Sequence, residues 1–185
     1  MKKLAVVLLA LALVTSLGFA APKKDKAAGA LSPLVGPGDL VVNAGVGWGG
    51  ISGGVELSLA EVDIAKIIPI TFGAAARATV DPGIFYNYFA FGVGAMATAH
   101  VGFKNLDLPD NLKWLGNVDS YIGLGLGFAS MDVWGSGIGI STFEGVSYYL
   151  NDKLALGFEY GYLGRSKDYY SYSVYYSTVG VTFKL

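Results

Sequence analysis

The chain has 185 residues with no cysteine, 13 basic and 14 acidic side chains, a formal net charge of −1 and 53% hydrophobic residues. Charged residues make up 15% of it, against roughly 25% in an ordinary soluble domain, and the mean hydropathy is +0.50. Disulfides are excluded, and the absence of a basic excess argues against a nucleic-acid partner.

Residues 1–20 read MKKLAVVLLALALVTSLGFA. Lys2 and Lys3 form a charged start, Leu4 to Val14 an apolar run, and Gly18 and Ala20 the small residues of a cleavage site. This is the pattern of a secretory signal peptide, too short to span a membrane as a helix, with cleavage expected after Ala20. No cysteine follows to carry a lipid anchor. Taking Lys2 and Lys3 from the 13 basic residues leaves 11 against 14 acidic ones, a net charge of −3 for residues 21–185. Beyond the signal no apolar run reaches the ~20 residues of a membrane helix. Residues 21–38, APKKDKAAGALSPLVGPG, read as a flexible periplasmic leader.

From Asp39 on, segments of period two follow one another. They cover about 40–48, 53–59, 70–80, 89–103, 121–128, 138–150, 153–163 and 175–185. In the first, Leu40, Val42, Ala44, Val46 and Trp48 alternate with Val41, Asn43, Gly45 and Gly47. In the last, Val179, Val181, Phe183 and Leu185 alternate with Thr178, Gly180, Thr182 and Lys184. Asn151-Asp152 reads as a tight turn. The stretch 104–119 is the longest connection and has room for a short helix. Eight strands return the chain to the side on which it began.

One face of these strands is bulky and apolar. The other is mostly Gly, Ala, Thr and Ser with very few charges. A water-facing surface would be rich in Lys, Glu, Asp and Arg. A narrow lumen needs small residues, because eight strands leave room only for side chains. The reading is therefore an all-β, eight-stranded antiparallel up-and-down transmembrane β-barrel over 39–185, with its bulky face toward outer-membrane lipid. A soluble lipocalin-like carrier of apolar ligands is the inverted alternative. Aromatics cluster at strand ends as two interfacial bands would: Trp48, Tyr86, Tyr88, Tyr162, Tyr169, Tyr170 and Tyr172 at one, and Phe103, Trp114, Tyr148, Tyr149 and Phe183 at the other. In hydrocarbon every backbone group must be paired, so the last strand must pair with the first.

Few charges fall on the inner face. Glu56, Arg77 and Glu159 are placed to form one ionic cluster, with Glu56 opposite about residue 75. Pairing is expected because a lone charge in a low-dielectric lumen costs several kcal/mol. The cluster reads as a structural plug, with a narrow passive pore for small solutes as the alternative. His100 is the only histidine and is expected in the lumen, bonded to neighbours such as Thr98 or Tyr121. Glu144 shares the parity of Ile138, Ile140, Val146 and Leu150, which would aim it at lipid. A bulge between Ser141 and Glu144 is expected to turn it inward.

Cofactor chemistry finds no support. There is no Cys or His cluster for a metal, and stretches such as GVGWGGISGG lack the helix and lysine of a phosphate loop. A lipid A deacylase would resemble a His-x-Ser pair with a carboxylate, but His100 is followed by Val101 and Gly102. No enzyme activity is expected.

The signal peptide, the strands, and the stretches VDSYIGLGLGF at 118–128 and YYLNDKLALGFEYGY at 148–162 together resemble the small outer-membrane barrels of the OmpA/OmpX type. Thr178, Gly180, Phe183 and Leu185 fill the places of the terminal β-signal of such proteins, although many bacterial members end in Phe. The resemblance implies recognition by the barrel-assembly machinery during insertion. A monomer in the cell outer membrane is expected, with both termini in the periplasm and loops 48–54, 81–87, 131–137 and 164–172 outside. A structural, envelope or surface-interaction role follows.

Overall fold

Alternation of large and small residues builds long strands here because each face has a different neighbour. A computed structural model describes residues 33–64, 68–83, 88–104, 108–133, 135–167 and 170–185. The expected signal peptide, cleavage site and most of the leader lie outside these residues, as do Tyr86 and Tyr169. The strands are β1 (Leu40–Trp48), β2 (Gly50–Ile64), β3 (Ile68–Asp81), β4 (Ala90–Gly102), β5 (Val118–Met131), β6 (Gly135–Tyr149), β7 (Leu154–Lys167) and β8 (Tyr170–Lys184). They pair in sequence order as one closed antiparallel barrel. The 3₁₀ helix η1 (Asp110–Asn117) occupies the long connection before β5.

Closure is made by β1 and β8, whose register runs from Val41↔Lys184 to Trp48↔Ser177. The Leu185 N–H adds a bond to the Leu40 carbonyl at 2.8 Å. Most strands outrun their apolar cores, because ladder bonds continue where the side-chain pattern stops. The connection expected at 48–54 shrinks to a tight turn, with Gly47↔Gly50 in register and Gly49 and Gly50 at φ of 89° and 92°. Their left-handed backbone suits glycine. The expected two-residue turn at 151–152 is instead 150–153, closed by the Asn151 carboxamide, which accepts from the Lys153 and Leu154 N–H groups at 2.9 Å each.

The bulge sits elsewhere than expected. The β5–β6 register is unbroken from Val118↔Tyr148 to Met131↔Gly135, so Glu144 stays outward and exposed between Ile122 and Tyr160. The register shift lies in β2, between Ser58 and Ala60. Leu59 is the extra residue, and beyond it Val62 pairs with Ile70 on the outer face. Regular alternation would have kept Glu61 outward with Leu57.

The outer wall is apolar. Val46, Ile51, Phe72, Ile122, Leu124, Leu126, Ile138, Ile140, Phe158, Val179 and Phe183 are all exposed on it. Of the expected aromatic bands, Trp48, Trp114, Tyr148 and Phe183 are exposed. Tyr149 is a correction: its parity turns it inward, and it is buried in the lumen.

Residues 33–38, expected as flexible leader, are held against the barrel end. Leu34 and Val35 are buried with Val41, Tyr149 and Ala155. The Thr71 hydroxyl donates to the Val35 carbonyl at 2.7 Å, and the Lys184 ammonium donates to the Leu34 carbonyl at 2.6 Å. The Gly38 N–H bonds the Ser58 carbonyl at 2.8 Å, beside the bulge. Two apolar side chains and fixed backbone bonds outweigh the freedom that the local composition suggests.

At the seam, Gly180 lies so close to β1 that an added Cβ would strike the Ala44 carbonyl and the Gly45 Cα. Gly180→Val is therefore expected to prevent closure and abolish the faster gel mobility of the unheated, folded barrel, whereas Val181→Leu on the outer face leaves it intact.

Candidate functional site

The lumen of an eight-stranded barrel is narrow enough for side chains from opposite walls to touch. Gly, Ser and Thr on most inner positions leave space for a few large polar groups. Arg77 of β3 reaches across this space. Its Nη2 is 3.3 Å from Glu56 Oε2 of β2, and its Nε is 3.3 Å from both carboxylate oxygens of Glu159 on β7. The guanidinium also lies over the Phe143 ring, 4.3 Å from its centroid. All three charged groups are buried, at 1%, 5% and 6% exposure for Glu56, Arg77 and Glu159.

His100 of β4 extends the cluster. Its Nε2 is 2.6 Å from Glu56 Oε1, and its Nδ1 is 2.7 Å from Asp119 Oδ2. Both ring nitrogens thus meet carboxylate oxygens, and an imidazole has two N–H donors only as the cation. The ring stacks on Tyr121 at 5.2 Å between centroids. The expected bond to Thr98 is replaced: Thr98 donates instead to the same Glu56 oxygen that His100 meets.

Arg77 and His100 face three acidic side chains, and neutral donors supply the remainder. Tyr176 donates to Glu159 at 2.8 Å, and the Asn43 carboxamide donates to its other oxygen at 3.0 Å. The connected set is Asp119, His100, Glu56, Arg77 and Glu159, with Thr98, Tyr176 and Asn43 around it. Ala75, Met96, Tyr121, Phe143, Leu163 and Tyr176 pack as an apolar layer with it. A second layer, Ala90, Ala129, Met131 and Val174, lies toward the Trp48 end.

The structure therefore brings together Glu56, Arg77, Glu159 and His100, with Tyr121 as a stacking partner. Glu56 pairs with Ala75, one step from Arg77, as the turn geometry predicts. Sequence reasoning missed Asp119, Asn43 and Tyr176. Asp119 and Tyr176 lay outside or at the edge of the apolar alternation, yet each shares its strand's inward parity, which is the signal that identifies them. The terminal positions form no joint site. Thr178 is buried and shares a 2.9 Å hydrogen bond with Ser52, Gly180 lies at the seam, and Phe183 and Leu185 are outward and exposed.

The chemistry available is ionic cross-linking. His100 has carboxylates on both nitrogens and no hydroxyl nucleophile bonded to it, so it is arranged as a bridge between strands. Among the described residues, no group of three or more His, Cys, Asp or Glu side chains has metal-binding geometry.

A closed eight-stranded antiparallel barrel with an apolar exterior and a buried ionic interior is the architecture of a small transmembrane β-barrel. No family model matches the chain, and no curated protein matches it. Solved structures similar to it include Ail, the attachment invasion locus protein of Yersinia pestis, at 12% identity and a TM-score of 0.49, covering 80% of this chain and 99% of that one. Neisserial surface protein A (NspA) is similar at 19% identity and a TM-score of 0.41, over 80% of this chain and 92% of that one. The outer membrane protein OprG from Pseudomonas aeruginosa is similar at 10% identity and a TM-score of 0.43, over 83% and 99%.

Removing the arginine leaves the buried Glu159 carboxylate with the neutral donors Asn43 and Tyr176, and Glu56 with His100 and Thr98. Arg77→Met is expected to lower the unfolding free energy by about 3–5 kcal/mol. Glu159→Gln, which keeps a hydrogen-bonding side chain in place, is expected to cost less. Urea unfolding of the protein refolded into lipid bilayers, followed by tryptophan fluorescence, measures both.

Proposed function

We propose that the protein is an integral outer-membrane β-barrel with a closed, side-chain-filled lumen and a structural or surface-interaction role in the envelope. The observation that carries this reading is the Glu56–Arg77–Glu159 bridge, which joins opposite walls of the barrel with buried charges. A solute path along the axis would have to break it and leave charges unpaired in a low dielectric, a cost of several kcal/mol. The apolar layer at the Trp48 end and the Leu34–Val35 stopper at the other add two further obstructions. The cavity beside Glu159, lined by Asn43, Ser52 and Thr178 among others, has room of about 20 Å³. That is the space of a single water molecule, which favours a plug over a narrow pore.

The outer membrane is supported by the secretory signal pattern together with strands whose exposed faces are apolar. A soluble carrier would have the opposite arrangement, with charges outside and the apolar surface within. The reading assigns Thr178, Gly180, Phe183 and Leu185 to recognition by the barrel-assembly machinery and treats the finished barrel as a non-enzymatic monomer.

The purified protein in planar lipid bilayers is expected to show no conductance steps; stable open channels would overturn the closed lumen. The absence of cysteine makes the topology testable by single substitutions. Val133→Cys, on the β5–β6 connection, is expected to react in intact cells with a membrane-impermeant maleimide. Asp152→Cys, at the opposite end, is expected to react only after the outer membrane is opened.

A further inference from the structure

Among the residues whose side chains are described, Glu144 is the one charge on the lipid-facing wall between the two ends of the strands. It lies in a row of register partners that runs Phe72↔Ala99↔Ile122↔Glu144↔Tyr160 across β3 to β7. The adjacent row is Ile70↔Val101↔Ser120↔Val146↔Phe158. Residues of both rows line an external concavity of about 610 Å³. Small side chains, Ala99 and Ser120, lie between larger ones, Ile70 and Phe72 on one side and Phe158 and Tyr160 on the other. Tyr160 faces Glu144 as its register partner on β7. Even one O–H from that side would leave most of the acceptor sites of a carboxylate unused. An ionisable group facing hydrocarbon is costly and marks a site with a partner.

The partner's chemistry follows from the wall. It must be apolar over most of its length and bring a hydrogen-bond-donating cation to one point. A second copy of this chain does not meet that need, because no Lys or Arg faces outward from the strands among the described side chains. A protein partner normally covers roughly 800 Å² on each side. The concavity instead has the volume typical of a small-molecule site, roughly 300–1,000 Å³. On β6, Glu144 is four residues from the exposed Tyr148, about 13 Å along the strand. Strand tilt brings it nearer still to that membrane interface.

The geometry points to a binding site for a membrane lipid with a primary ammonium headgroup, in which the ammonium pairs with Glu144 and the apolar body lies in the concavity between Phe72 and Phe158. This rests on the outer wall being lipid-facing. The test uses the full refolded barrel, with phosphatidylethanolamine and phosphatidylcholine of identical acyl chains as probes. The second lipid has a methylated ammonium with no N–H to donate. Lipid retained by the protein is counted by native mass spectrometry, and gel mobility of the unheated sample is read in parallel. The wild-type protein is expected to retain phosphatidylethanolamine about tenfold or more over phosphatidylcholine, the scale of one charge-assisted hydrogen bond. Glu144→Gln is expected to abolish that preference with unchanged gel mobility, and Tyr160→Phe to reduce it less. Equal retention of both lipids by the wild type, or a preference that survives Glu144→Gln, would overturn the site. Failure of the wild type to show heat-modifiable mobility would overturn the membrane reading itself, and the site with it.

Discussion

Everything in this molecule depends on the requirement that no backbone N–H or C=O be left unpaired in hydrocarbon. A sheet satisfies that only by closing, and here β1 closes onto β8 over eight register pairs, Val41↔Lys184 to Trp48↔Ser177. Closure with eight strands sets a narrow bore. A narrow bore demands small inward residues, and the glycines on β5, β7 and β8 answer that demand. Where Gly180 meets β1 there is no room for even one more carbon.

The same bore explains why a handful of charges organise the interior. Opposite walls are close enough for Arg77 to reach both Glu56 and Glu159, and for His100 to join Glu56 to Asp119. Two of these contacts, Arg77–Glu159 from β3 to β7 and His100–Glu56 from β4 to β2, link strands that are not neighbours in the ring. The network thus cross-braces a fold whose backbone bonds connect only neighbouring strands. Apolar layers above and below it keep water away, and low dielectric makes every bond in it both stronger and more costly to leave unmade.

The two faces of the wall follow opposite rules. Inside, charges are held in a connected set with neutral donors around them. Outside, Glu144 lies between Ile122 and Tyr160 on a wall made mostly of apolar side chains. The β2 bulge at Leu59 avoids a second such case by returning Val62 to the lipid side and Glu61 to the other.

The sequence by itself determined the number of strands, their order and, over most of their length, which face is bulky, because alternation is a local property of the chain. It also placed Glu56, Arg77 and Glu159 on the inner face, since parity within a strand is local too. It did not reveal the bulge, which depends on how β2 meets β3, or the outward Glu144, which an unbroken β5–β6 ladder enforces. Nor did it show Asp119 beneath His100, or Leu34 and Val35 seated against the barrel end. Those are decided by register between strands and by contacts across the lumen. Register is set only when the ring closes, so partners that meet through space leave no mark in the spacing of residues along the chain.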